Sequence, residues 1–325
     1  MVDIEWLKRH LQRLLPMSDQ LSSIYPEVIY EKRGWAALKL VCLMFYADVY
    51  TKIIPKYYDK MIYIDLLAGP GINRVKETGD LIIGSPIIAA TMEPPFDRLI
   101  FVENGVDRSE ALECRLSSVL DGSVFSVYNK KCDEIIDEII DKIIDENLSV
   151  GRCHYLAFVD CEGLDIAWDT VEKLLQYDGD FIFNFQTSEI NRVLGAYRQG
   201  TVRAETMYNF FGDVDLSQAR SGVDLLREYK NNLKKHRDIV EDITIKGGGK
   251  FGNFYYDLIF ATKRTKNGSP WFFKSVMPLK SRIEAHSGEA VQMALDILTG
   301  RQMTLDWFIS EDDEHDPHQR ELSDF

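Results

Sequence analysis

Short apolar runs alternate with amphipathic stretches through the middle of the chain. Runs of five to seven residues rich in Ile, Val, Leu and Phe recur at 61–67, 98–102, 124–128, 154–159 and 180–185. Continuous apolar runs of this length are typical of strands buried on both faces of a parallel sheet. Stretches with helical periodicity separate several of them. The alternation predicts an α/β fold with a doubly wound, mostly parallel sheet.

The pattern also predicts how the chain is divided. We expect N-terminal helices over 1–58, packed on a doubly wound core at 59–191. A mainly helical insertion should follow at 192–250. Residues 251–309 should form a C-terminal hairpin and a helix that complete the sheet. The strongly polar segment 310–325 is predicted to be a disordered acidic tail.

The predicted hairpin rests on a local turn signal. Two apolar runs, Tyr255–Thr262 and Trp271–Met277, flank the polar segment 263–270. This segment contains Asn267-Gly268, a dipeptide that favours tight hairpin turns. We therefore predict two antiparallel strands here.

The net charge is a sum of patches and does not describe the whole surface. The chain carries a formal charge of −14, of which 133–146 and 311–325 contribute −6 each. Residues 258–282 carry six basic side chains and no acid. A negative total therefore does not exclude a polyanionic ligand.

Several functional classes are disfavoured by composition. No apolar run reaches the ~18 residues that a membrane helix needs, and the acidic N-terminus does not resemble a secretory signal. Without a Cys-x-x-Cys pair, the sequence favours neither a disulfide framework nor a zinc site. We expect a cytoplasmic protein with no metal and no membrane contact. The five cysteines are Cys42, Cys114, Cys132, Cys153 and Cys161.

A glycine-containing loop follows the first predicted strand of the core. Glycines let a backbone turn sharply and approach a ligand closely, and ligands bind at the carboxyl edge of open α/β sheets. The spacing differs from the Gly-x-Gly-x-x-Gly dinucleotide loop and lacks the Gly-Lys-Ser/Thr ending of a triphosphate loop. The alternative is a purely structural turn. The candidate binding residues are Asp65, Ala68, Gly69, Pro70 and Gly71.

Acidic residues follow the next strands. Glu103 ends the second strand, where an ionised carboxylate could accept hydrogen bonds from both hydroxyls of a ribose. Asp133 follows the third strand and opens an acidic helix, so helix capping explains it equally well. Asp160 follows the fourth strand and is our candidate catalytic residue. Its neighbour Cys161 has no evident base in the sequence, which favours an inert buried thiol over a nucleophile.

These motifs add up to a family resemblance. The pattern Asp-x-x-Ala-Gly-x-Gly resembles motif I of class I S-adenosylmethionine-dependent methyltransferases. The order and spacing of seven short matches within about 60–270 resemble a narrower family, the three-Cys-motif partner (TcmP) proteins. The matches are Asp65–Gly71, Gly84–Pro86, Phe101–Glu103, Asp160 with Gly163, Asn184-Phe185, Ile190–Arg192 and Phe260–Thr262.

The resemblance implies a cofactor and a partner. S-adenosylmethionine would lie along the glycine loop, with Glu103 at its ribose and Asp133 at its adenine amino group, and methyl transfer would occur near Asp160. The family is prokaryotic and viral, and its partners carry a three-cysteine motif. Cys161 and Glu162 depart from the residues that amine methyltransferases use here. A non-catalytic adaptor with a degenerate methyltransferase fold is therefore the alternative function.

The basic segment raises a third hypothesis. Lys263, Arg264 and Lys266 lie beside an aromatic cluster at 271–273. Basic side chains neutralise phosphates and aromatic rings stack on bases, so these residues are candidates for nucleic-acid binding or processing. The alternative is a solvated hairpin whose aromatic residues belong to the core.

Overall fold

The computed structural model describes residues 3–266 and 268–301, so Asn267 and the predicted acidic tail at 310–325 lie outside the described residues. The helices are α1 (Ile4–Leu11), α2 (Ser18–Ser22), α3 (Trp35–Ile53), α4 (Ser85–Ala90), α5 (Val106–Ser117), α6 (Cys132–Val150), α7 (Trp168–Leu175), α8 (Thr187–Arg198), α9 (Ala204–Phe211), α10 (Gly222–Lys234), α11 (Pro270–Glu284) and α12 (Gly288–Leu298). The strands are β1 (Tyr30–Lys32), β2 (Lys60–Asp65), β3 (Ile72–Val75), β4 (Leu81–Ile83), β5 (Arg98–Val102), β6 (Phe125–Tyr128), β7 (Cys153–Val159), β8 (Gly179–Phe185), β9 (Ile239–Lys246) and β10 (Tyr255–Thr262). None of the helices in this part of the chain is long and apolar enough to span a membrane.

The main sheet has a doubly wound order. Within the described residues it contains seven strands in the order β6-β5-β2-β7-β8-β10-β9. Strands β6, β5, β2, β7 and β8 run parallel, and β10 is antiparallel to both β8 and β9. Numbered in chain order, these strands follow 3-2-1-4-5-7-6. This order, with its one reversed strand, is that of the class I methyltransferase-like Rossmann fold, which confirms the predicted fold class.

Successive residues of each strand point to opposite faces of the sheet, and each face is covered by helices. Along β2, Met61 and Tyr63 belong to one apolar cluster, whereas Ile62 and Ile64 belong to the other. Helices α1, α3, α4, α5, α11 and α12 cover the first face. Helices α6 to α10 cover the second. The continuous apolar runs in the sequence follow from this burial on both faces.

The N-terminal residues 3–58 pack against the main sheet, and some of them lie near the carboxyl ends of its parallel strands. Strand β1 pairs with β3, and β3 pairs with β4, in a separate three-stranded sheet. Helix α3 is buried on nearly all sides and contacts α1, α4, α11, α12 and β9. The N-terminal residues are therefore part of the structure around the carboxyl edge of the main sheet.

The predicted second strand of the C-terminal hairpin is wrong. Trp271–Met277 lies inside helix α11, whose buried residues Phe272, Val276, Leu279 and Ile283 recur at helical spacing. The hairpin is formed instead by β9 and β10, so the mainly helical segment 192–250 also contains a strand. Pro270 occupies the first turn of α11, a position where its missing N–H costs no hydrogen bond.

Candidate functional site

A cavity lies where the strand order of the main sheet reverses. The chain proceeds outward from β2 to β5 and β6 and then returns to β7 on the other side of β2. Crevices at such switch points, outside the carboxyl ends of the strands, are the usual ligand sites of open α/β sheets. The cavity measures about 440 Å³, within the range of small-molecule sites. Its walls include the loop after β2, the ends of β5 and β7, and the start of α6.

The loop after β2 depends on two glycines in left-handed conformations. Gly69 has φ +65° and Gly71 has φ +84°. A Cβ at Gly69 would lie 2.8 Å from a ring carbon of Tyr30, and one at Gly71 would lie 3.1 Å from a Leu112 methyl. Both the backbone angle and the space around these positions therefore require glycine. Ala68, Pro70 and Gly71 lie in the cavity wall.

Glu103 joins this loop to the neighbouring strand. Its carboxylate is almost fully buried, and Oε2 accepts a hydrogen bond from the Gly69 amide at 3.0 Å. The other oxygen, Oε1, accepts from the Gly105 amide at 2.7 Å and from Arg108 Nε at 2.8 Å. Oε2 therefore retains a free acceptor direction at the cavity, whereas Oε1 is already occupied. This geometry favours one ligand hydrogen bond rather than the two expected from the sequence.

Asp65 lies beneath the loop. It is fully buried and is not part of the cavity wall. Its Oδ1 accepts from the Leu67 amide at 3.3 Å, and the Tyr63 hydroxyl donates to Oδ2 at 3.4 Å. Burial raises the pKa of Asp65 to about 7. Asp65 is therefore positioned to shape the turn rather than to touch a ligand.

The raised pKa predicts a specific pH dependence of stability. The folded protein holds this proton up to about pH 7, whereas the unfolded chain releases it near the ordinary value of 3.8. The unfolded state therefore binds fewer protons between these values, and stability falls as pH rises through this window. We expect the wild type to lose roughly 1.4 kcal/mol per pH unit relative to Asp65→Asn. Urea unfolding of both proteins from pH 4.5 to pH 8 measures this difference, and parallel curves would contradict it.

Asp160 sits in a cluster of charged and polar groups at the end of β7. Lys39 Nζ, from α3, lies 2.6 Å from both carboxylate oxygens, and the Asn184 amide donates to Oδ1 at 2.7 Å. Burial alone would raise the pKa of Asp160, but Lys39, Lys32 and Asn184 together hold it below its usual value. The carboxylate is therefore ionised and fixed in orientation, and it is a poor proton acceptor at neutral pH.

Lys32 extends this cluster across the cavity. It forms an ion pair with Glu162, and both side chains line the cavity. Burial alone would lower the pKa of Lys32, but Asp160 and Glu162 hold it above its usual range. The N-terminal segment thus supplies one side of the cavity through Tyr30, Lys32 and Lys39.

Asp133 also lies in the cavity wall, where its carboxylate is tied to a second helix. Oδ1 accepts hydrogen bonds from the Ala167 amide at 3.2 Å and from the Thr170 hydroxyl. These contacts join the start of α6 to the first turn of α7. Asp133 does not cap its own helix α6, whose N-cap is Lys131 with no side-chain cap, and its exposed side chain lines the cavity.

Cys161, which follows the proposed catalytic Asp160, is not placed as a nucleophile. Cys161 is fully buried, and burial raises its pKa well above the ordinary value, as expected for an inert thiol. In the same described part, no group of three or more His, Cys, Asp or Glu side chains is arranged to hold a metal ion.

The basic candidates lie far from this cavity. In the register of β10 with β8, Asp257 pairs with Phe185 and Ala261 with Phe181. The loop after β10, with Lys263, Arg264 and Lys266, therefore follows the amino ends of the parallel strands, opposite the cavity. Lys263 is also paired with Asp178 at 2.6 Å.

Comparisons with known proteins concern the fold. The sequence matches no protein-family model and no curated protein. A protein from Legionella pneumophila Philadelphia 1 is similar at 12% identity and a TM-score of 0.45, over 76% of this chain and 92% of that one. The O-methyltransferase TomG from Streptomyces achromogenes, solved with S-adenosylmethionine, is 14% identical with a TM-score of 0.36, over 78% and 98% of the two chains.

An O-methyltransferase from Bacillus cereus, solved with S-adenosylhomocysteine, is similar at 10% identity and a TM-score of 0.36. The similarity covers 78% of this chain and 100% of the Bacillus cereus chain. The assignment to the class I methyltransferase-like Rossmann fold rests on the order and direction of the strands in the main sheet.

Proposed function

We propose that the cavity binds S-adenosylmethionine and that the protein is methyltransferase-like. The observation that carries the proposal is the position of the cavity at the reversal of the strand order, enclosed by a two-glycine turn and the Glu103 carboxylate. In this proposal Ala68, Gly69, Pro70 and Gly71 bind along the cofactor, while Glu103 accepts a ribose hydroxyl at Oε2. Asp65 acts by holding the turn, and Asp133 lies at the adenine end.

The residues around the cavity fit this cofactor. S-adenosylmethionine carries an amino group, a sulfonium and a carboxylate, so it needs partners of both signs. Acidic and basic side chains line the cavity in equal number. The acids are Glu103, Asp133, Asp160, Glu162 and Asp165, and the bases are Lys32, Lys39, Arg108, Lys130 and Lys131. The glycines at 69 and 71 let the turn pack closely against Tyr30 and Leu112, which keeps Ala68, Pro70 and Gly71 in the cavity wall.

The cofactor would supply a methyl group to a nucleophile bound near Asp160. The chain's own contribution is alignment and charge, which is the main requirement of such a displacement. Lys39 and Asn184 fix the Asp160 carboxylate, which can then accept a hydrogen bond from the acceptor and orient it. Because its pKa is lowered, Asp160 serves as an orienting group rather than a strong base.

We also propose membership of the three-Cys-motif partner family, with a cytoplasmic location and a protein partner that carries the three cysteines. The support is the ordered set of motifs from Asp65 to Thr262. Nucleic-acid binding through Lys263, Arg264 and Lys266 would be a separate activity, because this loop lies at the opposite edge of the sheet.

Calorimetric titration with S-adenosylmethionine tests the cofactor. We expect Gly69→Ala to weaken binding at least about tenfold, because the new Cβ meets the Tyr30 ring and the residue keeps a left-handed backbone. Gly79→Ala is the matched control, since its φ of +79° gives the same strain but nothing lies within 4 Å of the added Cβ. Absence of binding by the wild type, or binding of NAD in place of S-adenosylmethionine, would refute the proposal.

A further inference from the structure

A second cleft lies on the far side of the Lys39–Asp160 ion pair. It measures about 220 Å³ and shares Lys32, Ala36, Lys39, Asp160 and Glu162 with the first cavity. A methyl acceptor must lie within about 3–3.5 Å of the methyl donor, in line with the bond that breaks, so the acceptor site has to adjoin the donor site. The second cleft adjoins the first cavity at Asp160, the proposed reaction centre.

Three of the seven remaining lining residues of the second cleft are aromatic, namely Trp35, Phe254 and Tyr256. The rings of Trp35 and Phe254 lie with their centroids 5.3 Å apart and are both partly exposed. The Tyr256 hydroxyl donates to the Trp35 carbonyl at 2.9 Å, which fixes the start of α3 against β10. Partly exposed, fixed rings of this kind favour a flat aromatic ligand over a flexible polar one.

The charged side chains of the cleft are already paired within the protein. Besides the shared pairs, Glu31 binds Arg74, Arg33 binds Glu77 and Glu189 binds Arg192. A ligand with its own charge would have to break one of these pairs. The pairing of these charges within the protein therefore favours an uncharged ligand.

One polar side chain in the cleft is available to form hydrogen bonds with a ligand. The Gln186 side chain, half-buried beside the aromatic wall, makes no hydrogen bond with any described residue. It precedes the first turn of α8 without capping that helix. A primary amide offers both a donor and an acceptor, which matches the polar edge of a nucleobase.

We propose that the second cleft is the acceptor subsite and that it takes an uncharged planar heteroaromatic ring with neighbouring donors and acceptors, as in a nucleobase. The acceptor role rests on the proposed function, because it requires the cofactor in the first cavity. Binding of the ring itself does not.

The test separates ring binding from cofactor binding. Adenosine, cytidine, guanosine and uridine are titrated by saturation-transfer NMR without cofactor, with indole as an aromatic probe that lacks the amide-like edge. We expect at least one nucleoside to bind, and Gln186→Ala to weaken it about tenfold, the value of one lost hydrogen bond. Gln199→Ala, at the exposed other end of α8, is the matched control and should bind like the wild type.

Each outcome either supports or overturns the acceptor subsite. If a short single-stranded oligonucleotide binds more tightly than its nucleosides, and Gln186→Ala weakens both equally, the bound base belongs to a nucleic-acid strand. Binding by no nucleoside, equal binding by Gln186→Ala, or indole binding as tightly as the nucleosides would each overturn the inference. If S-adenosylmethionine binds and nucleosides do not, this inference alone fails. If nucleosides bind and S-adenosylmethionine does not, the proposed function fails and the acceptor role fails with it.

Discussion

The Glu103→Ala variant is expected to bind S-adenosylmethionine at least about a hundredfold more weakly than the wild type. The substitution removes the acceptor of the Gly69 and Gly105 amides and of Arg108. Hydrogen bonds to a charged group contribute about 1.5–3 kcal/mol each, and a hundredfold change in affinity corresponds to about 2.7 kcal/mol. Loss of the loop geometry and of the free Oε2 direction should therefore act together. Calorimetric titration measures the change.

Two further variants show whether the effect belongs to this carboxylate. Glu103→Gln keeps the shape but presents an amide NH₂ to groups that are all donors, so it should weaken binding nearly as much. Glu113→Ala removes an exposed carboxylate of the following helix, α5, and should leave binding unchanged. Retention of wild-type affinity within threefold by Glu103→Ala would be incompatible with the proposed cofactor site.

The second large effect expected is on stability, in Arg115→Met. Arg115 is fully buried and donates to the carbonyls of Leu21, Ile24, Tyr25 and Pro70. The Leu21 and Tyr25 carbonyls also accept backbone hydrogen bonds from Ile24 and Val28. Within the described residues, the carbonyls of Ile24 and Pro70 have no other donor. An unsatisfied buried polar group costs about 1–3 kcal/mol, so we expect a loss of roughly 3 kcal/mol.

Thermal unfolding followed by circular dichroism measures this loss. A change of this size should lower Tm by at least about 5 °C. Arg98→Met is the matched control, because Arg98 donates to Ser123 and Ser126 in a half-buried position where water can replace it. We expect Arg98→Met to shift Tm by less than about 2 °C. Equal melting of the two variants would show that burial of Arg115 has no special importance.

Much of the fold could be predicted because four of the parallel strands, β2, β5, β7 and β8, are buried on both faces. Such strands appear as continuous apolar runs, and all five predicted runs correspond to β2, β5, β6, β7 and β8. Strand β9 lies in the segment 192–250, which the sequence predicts to be mainly helical. Its buried residues are Ile239, Val240, Ile243 and Ile245. The strands of the small sheet are three or four residues long, too short to produce a periodic signal.

The predicted strand at 271–277 is wrong because short-range strand and turn signals compete there with a helical periodicity that extends over a longer segment. The aromatic run 271–273 and a nearby Asn-Gly favoured a hairpin. The signal that prevailed was the helical spacing of Phe272, Val276, Leu279 and Ile283, which is visible only over the full length of the helix.

The site was predictable along the core but not from the N-terminal side. Glu103, Asp133 and Asp160 follow strands that meet at one edge, so topology alone brings them together. Tyr30, Lys32 and Lys39 reach the same cavity through tertiary packing, which a single sequence does not encode locally. One signal was present, since Lys39 is the one charged residue of the stretch 34–47, and a lysine is rarely buried without a partner.

The Lys39–Asp160 ion pair also restricts how this chain can vary. Its members are 121 residues apart in sequence, one in α3 and the other directly after β7. Replacing Asp160 alone would leave the nearly buried charge of Lys39 without its partner, whereas replacing Lys39 alone would leave Asp160 with Lys32 and Asn184. We therefore expect a neutral residue at position 160 to require a neutral residue at position 39, so that a helix taken from another chain with the same core would fit this one only if it matched the residue at position 160.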